Sequence, residues 1–244
     1  MNTTNETAYA AFLRERREEL LDRIADAASR SGRTSEDVTL MAVSKTVDAS
    51  KMIQAYEVGY HTFGENRPQE LVRKWEASQN LDDIRIDMIG NLQRNKINKV
   101  IDKAGLIHSV SSGHLAEAIS MRAASRDVTA HCLLEVNVSG EETKSGMAPN
   151  QAKRVAEQFM ELPNMKLEGL MTMAPAYDAS AARGSFNGLR ELCEELRCST
   201  GLPLPVLSCG MSGDFEIAVE EGSTLVRLGR VVFDPSFADA VNVR

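Results

Sequence analysis

Hydrophobic positions along the chain follow two different periods, and their alternation predicts the order of secondary structure. Near the N-terminus, four apolar residues recur at spacings of seven, four and four, namely Leu13, Leu20, Ile24 and Ala28. This spacing places them on one face of a helix, which we expect over about residues 6–31 with Gly32 as a stop. From residue 38 onward, short apolar runs alternate with amphipathic segments. The eight runs that predict strands are VTLMAVS, YHTFGE, IRIDMIG, LIHSV, TAHCLLEVNVS, KLEGLMTMA, PVLSCG and STLVRLGR.

This strict alternation of strand and helix predicts a parallel sheet, because neighbouring parallel strands need a crossover connection that is usually helical. Eight such units over about residues 38–233 fit a single (β/α)8 TIM-type barrel better than a doubly wound sheet. No linker rich in Pro, Gly or Ser divides the chain. We therefore expect an α/β fold with one domain over residues 1–244, in which the barrel carries an extra N-terminal helix.

The composition then narrows the class of protein. With 43% hydrophobic and 26% charged residues, the chain is typical of globular proteins. Its formal charge of −7 argues against general binding to nucleic acid or to an anionic membrane, since both need clustered Lys and Arg. The four cysteines show no metal or redox spacing, and no signal peptide or membrane span is visible. We expect a cytoplasmic protein with reduced thiols and no metal site.

Lys45 directly follows the first apolar run, in the sequence MAVSKT. In a barrel of this type, functional groups gather where the strands end and the loops to the helices begin. A lysine at that position can bind phosphate as a point charge, or act as an amine nucleophile that forms a Schiff base with a carbonyl group. It can also simply extend from the rim into solvent. The pattern alone leaves these roles open.

The loop after the seventh strand is a second candidate site. Gly210, Ser212 and Gly213 lead into a helix, and we expect Asp214 to cap it. Free N–H groups in such a turn can hold a phosphate. A helix cap and turn without a ligand would have the same sequence, so the pattern by itself does not decide.

Arg227 is the third candidate, because alternation along STLVRLGR places it on a face that should be buried. A buried charge needs a partner, which is either a protein carboxylate or a ligand atom. The four histidines form neither an HExxH nor an HxxxH pattern. We assign them no chemistry.

Seven motifs, in order, make the chain resemble the pyridoxal-phosphate homeostasis family, whose fold is similar to the N-terminal barrel of bacterial alanine racemase. They are MAVSKT at 41–46, FGEN-x-x-QE at 63–70, IG-x-LQ-x-NK at 89–96, NVSGEETKSG at 137–146, GLMTM at 169–173, S-x-GMS-x-D at 208–214 and GST-x-VR-x-G at 222–229. The resemblance covers about residues 38–233. It implies that the chain binds pyridoxal 5'-phosphate as its cofactor.

The resemblance also implies a role for each matching residue. Lys45 would hold the cofactor as an internal aldimine, and Asn66 would lie near its ring. Arg227 would face the pyridine nitrogen, where a permanent cation disfavours protonation of the ring and makes it a poorer electron sink. The residues that would surround the phosphate are Ser208, Met211, Ser212, Gly229 and Arg230.

The family is regarded as a carrier or buffer of the cofactor, and we expect the same non-catalytic role here, with supply to client enzymes. Alanine racemase needs a second domain that provides a tyrosine base, whereas only residues 230–244 follow Gly229. An amino-acid racemase of the same fold is the alternative, and an aldolase-like barrel that uses Lys45 on a sugar phosphate is a third. With no long exposed apolar segment, we expect a monomer.

Several positions depart from the family pattern. Val47-Asp48 and Arg67-Pro68 replace the usual pairs after SKT and FGEN, and Asp87 stands where a histidine is common. We expect these three to lie near the rim. Close to the phosphate, Arg230 replaces a Thr or Ser and Asp234 replaces a glycine. Arg230 retains its backbone N–H, so we expect the phosphate site to persist.

Overall fold

Eight parallel strands close into a barrel in the computed structural model, which describes residues 7–176 and 178–237. Each strand pairs with the next along the chain, and the last pairs with the first. The strands are β1 Thr39–Val43, β2 Thr62–Glu65, β3 Arg85–Met88, β4 Ile107–Val110, β5 Ala130–Glu135, β6 Met165–Met171, β7 Val206–Ser208 and β8 Leu225–Leu228. The predicted TIM-type barrel is confirmed.

Helices surround this barrel. Those in the described residues are α1 Ala8–Arg30, α2 Ala49–Glu57, α3 Pro68–Ala77, α4 Ile97–Val100, α5 Gly113–Ser125, α6 Pro149–Phe159, α7 Ala179–Thr200, α8 Phe215–Glu220 and α9 Arg230–Phe233. Helix α1 precedes the first strand, the helices α2 to α8 lie in connections that the sequence pattern predicts to be helical, and α9 follows the last strand without having been predicted. Two departures from the family pattern find their reason here. Asp48 caps α2 by accepting from Lys51 N at 2.9 Å, and Pro68 occupies the first turn of α3, where its missing N–H costs nothing.

The N-terminal helix α1 forms as predicted and packs beside α8. The four apolar residues of its predicted face are all fully buried. Thr7 caps the helix by accepting from Ala10 N at 3.1 Å. At α8, Arg23 donates to Glu216 at 3.0 Å and lies over the ring of Phe215. The predicted start at residue 6 lies outside the described residues.

Alternating residues of each strand face either the helices or the barrel interior. Ala42 and Val226, for example, belong to the large core between strands and helices. Met41, Val43 and Leu225 instead form a small cluster inside the barrel. In the pairing of β1 with β8, Met41 is the partner of Arg227. This register determines which residues of β1 lie beside Arg227 in the barrel interior.

The predictions about a membrane span and about the thiols can be compared with the structure. No helix in the described part of the chain is both long enough and apolar enough to cross a membrane. All four cysteines are free, and only Cys198 is exposed. Burial raises the pKa of Cys193 and of Cys209, each to about 11. Thiols with such pKa values stay protonated at neutral pH, which is typical of structural cysteines.

Candidate functional site

The predicted site residues lie in β7 and β8 or in the segments that follow β1, β2, β7 and β8, and these segments leave the same rim of the barrel. Lys45 lies two residues beyond the end of β1. By alternation it continues the inward face of Met41 and Val43. It is exposed, and it makes no hydrogen bond or ion pair with the rest of the described chain. Its amine is therefore available to a ligand at the rim.

Asn66 follows β2 and is half-buried at the same rim. Its backbone is fixed from the side by Gly90, the glycine of the IG motif after β3. A Cβ atom on Gly90 would lie 2.3 Å from Asn66 O and 2.8 Å from Asn66 Cα. Only a glycine permits this contact, so the loop after β3 supports the position of Asn66.

The loop after β7 turns at Gly210, whose φ of +94° suits a glycine. Asp214 does not cap α8, so that expectation is wrong. Instead its Oδ1 accepts from Met211 N at 2.6 Å, which closes the loop on itself. Burial raises the pKa of Asp214, although this bond and the Arg227 charge oppose the rise. The side chain of Met211 is exposed, while its backbone N–H is already used.

The loops after β7 and β8 meet at Ser212. Its hydroxyl oxygen accepts from Val231 N, at 3.5 Å, in the first turn of α9. Gly229 precedes this turn, and a Cβ atom there would be in ordinary contact with Val43. Ser212, Gly229 and the start of α9 thus lie together, beside the end of β1. Arg230 directs its guanidinium to the ring of Phe237, 4.9 Å from the ring centroid.

Arg227 is buried inside the barrel, as alternation predicts. Its Nη1 donates to Ser208 O and to Ser208 Oγ, each at 2.7 Å, and its Nη2 donates to Thr172 O at 3.0 Å. Within residues 7–176 and 178–237 no carboxylate forms an ion pair with it. Burial therefore lowers the pKa of Arg227, and distant acidic groups offset this only in part. The salt-bridge alternative is wrong, and the guanidinium keeps donor capacity for a ligand.

A buried chain of polar side chains continues from Arg227 across the barrel. Ser208 Oγ lies 2.9 Å from His108 Nδ1, and His108 Nε2 lies 3.0 Å from Asp87 Oδ2. Arg85 closes the chain with two bonds to Asp87, at 2.7 and 2.6 Å. The expectation that Asp87 lies near the rim is wrong, since it is fully buried in the barrel interior. We refer to Asp87, His108 and Ser208 as the interior relay.

The hydrogens of the interior relay follow from its acceptors. Asp87 can only accept, so His108 carries its proton on Nε2, and a neutral His108 accepts from the Ser208 hydroxyl at Nδ1. Ser208 Oγ in turn accepts from Arg227. Burial lowers the pKa of His108, and Asp87 opposes this without reversing it. His108 is therefore neutral at neutral pH, and every member of the chain has a partner.

Glu135 is a further residue that the sequence reasoning missed. It ends β5 and shares the inward face of Leu133. Burial raises the pKa of its carboxyl group, which accepts from Ser145 and feels the Arg227 charge. Strand parity and the terminal position on β5 were the available signals. For His108, only its parity on β4 was visible, because its partners come from distant strands.

The donor set of the rim fits the cofactor that the motifs imply. Lys45 offers an amine with no partner in the described chain, which suits an aldehyde. Arg227 offers unused N–H donors, which suit a ring nitrogen. Ser212 offers a hydroxyl, and Gly229 leaves space for a close approach to backbone N–H groups. Together these groups match a phosphorylated pyridine aldehyde.

Comparisons with known proteins agree with the ligand that these groups match. The family model of the alanine racemase N-terminal domain matches residues 19–236. A pyridoxal phosphate homeostasis protein from Aquifex aeolicus is 43% identical over 220 residues, which are 90% of this chain and 96% of that protein. A protein of the same name from Pseudomonas aeruginosa is 38% identical over 212 residues, covering 86% of this chain and 90% of that protein.

The three-dimensional structure is also similar to a solved structure. PipY of Synechococcus elongatus, with pyridoxal phosphate bound, is 33% identical with a TM-score of 0.77. The match covers 86% of this chain and 99% of that chain.

Proposed function

Because the chain belongs to the pyridoxal-phosphate homeostasis family, with the fold of the alanine racemase N-terminal domain, we propose that it binds pyridoxal 5'-phosphate and supplies it to other enzymes. One observation carries this proposal. The Lys45 amine, which has no partner among the described residues, follows β1, and β1 pairs with β8, which carries the buried Arg227 guanidinium with its spare donors. An amine and a cation on neighbouring parts of one barrel suit a ring held between an aldehyde-binding group and a nitrogen-binding group.

When bound, the cofactor would supply an aldehyde, and the Lys45 amine is the group that would hold it. The protein then has to orient the ring and the phosphate. Asn66, whose backbone is held in place by Gly90, would lie near the ring. Arg227 donates to the pyridine nitrogen and keeps it unprotonated, because a second positive charge beside a guanidinium is unfavourable.

The phosphate lies between the loops after β7 and β8 in this proposal. Ser212, Gly229 and the N–H groups at the start of α9 would provide its donors, and the exposed Met211 side chain lies in the same loop as Ser212. Ser208 belongs to the site through Arg227, because both bonds between them hold the guanidinium. Arg230 contributes its backbone N–H, while its side chain stays on Phe237.

Storage and delivery explain the site better than turnover does. The relatives are named for pyridoxal phosphate homeostasis, and an Arg227 that keeps the ring nitrogen unprotonated weakens the cofactor as an electron sink. Racemase activity is the weaker alternative. We further propose a cytoplasmic monomer, a single domain over residues 1–244, and cofactor-requiring enzymes as its clients. One core that extends from Ala10 on α1 to Phe233 on α9 supports the single domain.

Borohydride reduction tests the proposal. The purified protein is incubated with pyridoxal phosphate, reduced, digested and analysed by mass spectrometry. We expect the pyridoxyl group on the peptide of Lys45, and none on the Lys45→Ala variant. Lys166→Ala is the matched control, since Lys166 is an exposed lysine at the start of β6, at the opposite end of the barrel. Labelling that ignores Lys45, or that is absent, would contradict cofactor binding.

Delivery needs its own measurement. The loaded protein is mixed with an apo-enzyme that requires pyridoxal phosphate, in the presence of an excess of a scavenger for free cofactor. Faster reactivation than by the same amount of free cofactor supports supply to clients. Reactivation that the scavenger abolishes would contradict it, and exchange of deuterium into amino acids would favour the racemase instead.

A further inference from the structure

Ser44, the residue before Lys45, is fixed through each of its polar groups. Its N–H donates to Gly64 O on β2 at 3.1 Å. Its hydroxyl donates to Glu65 Oε1 at 2.6 Å, and its carbonyl oxygen accepts from Lys74 Nζ at 2.6 Å. The residue is fully buried. A residue held in this way determines where the next residue leaves the strand.

The carbonyl group of Ser44 has a second function, since it closes the turn that carries Lys45. Val47 N donates to Ser44 O at 3.0 Å, so Lys45 is the second residue of a four-residue turn. Lys74 donates to the same oxygen. Its ammonium group therefore acts on the peptide unit that joins Ser44 to Lys45.

Lys74 and Glu65 form a salt bridge that is about 1% exposed at both side chains. Lysine is almost never fully buried, and replacing a buried ion pair by well-packed apolar residues is often neutral or stabilising. Here the fit is also incomplete, because Glu65 Oε2 is buried and has no hydrogen-bond partner among the described residues. The pair is therefore poorly explained by stability alone.

The position of the pair relates it to the site. Ser44 and Glu65 have the parity of outward residues such as Ala42 and Phe63, which pack against the helices. Lys45 has the opposite parity and faces the interior. The pair thus lies directly behind the wall of the barrel from which the Lys45 side chain leaves.

We propose that Lys74, Glu65 and Ser44 are positioning residues for Lys45, a role that rests on the proposed function. Lys74 fixes the peptide unit before Lys45, and Glu65 fixes both Lys74 and the Ser44 hydroxyl. Without them, the turn retains its backbone bond from Val47 but loses the side-chain bonds that set its orientation. The amine then spends less time where a bound aldehyde can be attacked.

The experiment separates this positioning from binding. The double variant Glu65→Leu/Lys74→Met removes both charges and leaves neither one unpaired. Two probes are used: pyridoxal 5'-phosphate, whose attachment to Lys45 is followed by absorbance and borohydride trapping, and pyridoxine 5'-phosphate, which has no aldehyde. We expect attachment to slow by about tenfold or more, with the affinity for pyridoxine 5'-phosphate close to that of wild type.

Controls cover loss of stability and loss of folding. Ile119→Ala leaves a cavity under α5, where Ile119 is fully buried, and it should lower the melting temperature without slowing attachment. Ser44→Ala retains the charged pair and removes only the hydroxyl bond to Glu65. It should fold and show a smaller slowing in the same direction, so it carries the test if the double variant does not fold.

The outcomes are distinct. Attachment as fast as in wild type in a folded variant would overturn the positioning role, as would a parallel loss of affinity for pyridoxine 5'-phosphate. Slowing in Ile119→Ala by the same factor would also overturn it, because attachment would then follow stability. A wild-type protein that attaches no cofactor would overturn the proposed function itself.

Discussion

Arg227 and Ser208 are joined by two hydrogen bonds from a single nitrogen: Nη1 of the guanidinium donates to the carbonyl oxygen and to the hydroxyl oxygen of Ser208, each at 2.7 Å. The hydroxyl is also bonded to His108. A permanent cation is thus held by neutral groups inside a barrel. The orientation of the Arg227 side chain therefore depends directly on Ser208, a member of the interior relay. It depends only indirectly on the residues of the rim.

Ser208→Ala should therefore affect both stability and binding. The change leaves Nδ1 of His108 buried without a partner and removes one bond to Arg227, so the free energy of unfolding should fall by about 1–3 kcal/mol. Affinity for pyridoxal phosphate should fall by about tenfold, because Arg227 is less well oriented. Chemical denaturation and a binding titration measure the two effects.

The matched control for this variant is Ser120→Ala. Ser120 is a buried residue of α5, and its hydroxyl donates to Pro163 O at 2.7 Å. It should lose a similar amount of stability and bind the cofactor normally. Equal losses of affinity in both variants would show that the effect at Ser208 is only a loss of stability.

The interior relay also predicts a pH dependence. Burial lowers the pKa of His108 in the folded protein below its ordinary value of 6.5. The unfolded chain therefore binds a proton first as the pH falls, and the folded state loses stability from about pH 6.5 downward, by at most about 1.4 kcal/mol per pH unit. Above about pH 6.5, His108 is neutral in both the folded and the unfolded state, and the folded state has its full stability with respect to this group.

His108→Gln should flatten this part of the pH profile, although it also costs stability at neutral pH. The free energy of unfolding is measured by denaturation between pH 5 and 8. His114→Gln serves as the control, because it makes the same substitution at an exposed histidine on α5. An unchanged slope in His108→Gln would mean that other groups cause the acid sensitivity.

Gly210 and Gly213 lie three residues apart in the loop after β7 and should respond differently to alanine. Gly210 has a φ of +94°, and a Cβ atom there would lie 2.7 Å from Ala218 Cβ. Gly210→Ala should distort the loop, at a cost of about 1–3 kcal/mol in stability, and weaken binding of pyridoxal phosphate. Gly213→Ala meets nothing within 4 Å and should bind as wild type does. Equal affinities for the two variants would place the phosphate elsewhere.

Arg230 departs from the family pattern, and its side chain is held by Phe237. Arg230→Ser should lower stability by no more than about 1 kcal/mol and leave the affinity for pyridoxal phosphate nearly unchanged, because the backbone N–H remains. Ser212→Ala is the comparison, since it removes a proposed phosphate donor and should weaken binding. A large loss of affinity in Arg230→Ser alone, by titration, would show that the guanidinium reaches the phosphate.

Most of the fold could be predicted, because each helix and each strand has its own period of apolar residues in the sequence. The apolar face of α1 and the alternation in β8 are local patterns, so they gave the helix and the inward direction of Arg227 correctly. The cap at Asp214 was wrong for a local reason as well. A carboxylate in a tight loop can bond to a nearby N–H outside the helix, and composition does not distinguish the two choices.

The candidate site was predicted less completely. The motifs selected Lys45 and the rim, yet the roles of Asp87 and His108 were missed. A sequence pattern shows that a strand residue faces inward, but it does not show what faces it.

By itself, the sequence determined the alternation of strands and helices, the barrel that follows from it, and the placement of Lys45 and Arg227 at strand ends or on buried faces. Only the tertiary structure decided the partners. His108 and Ser208 are 100 residues apart, and Lys74 on α3 reaches Ser44 directly after β1. Closure of the barrel brings such residues together, and in a low-dielectric interior each buried polar group takes the partner that closure provides.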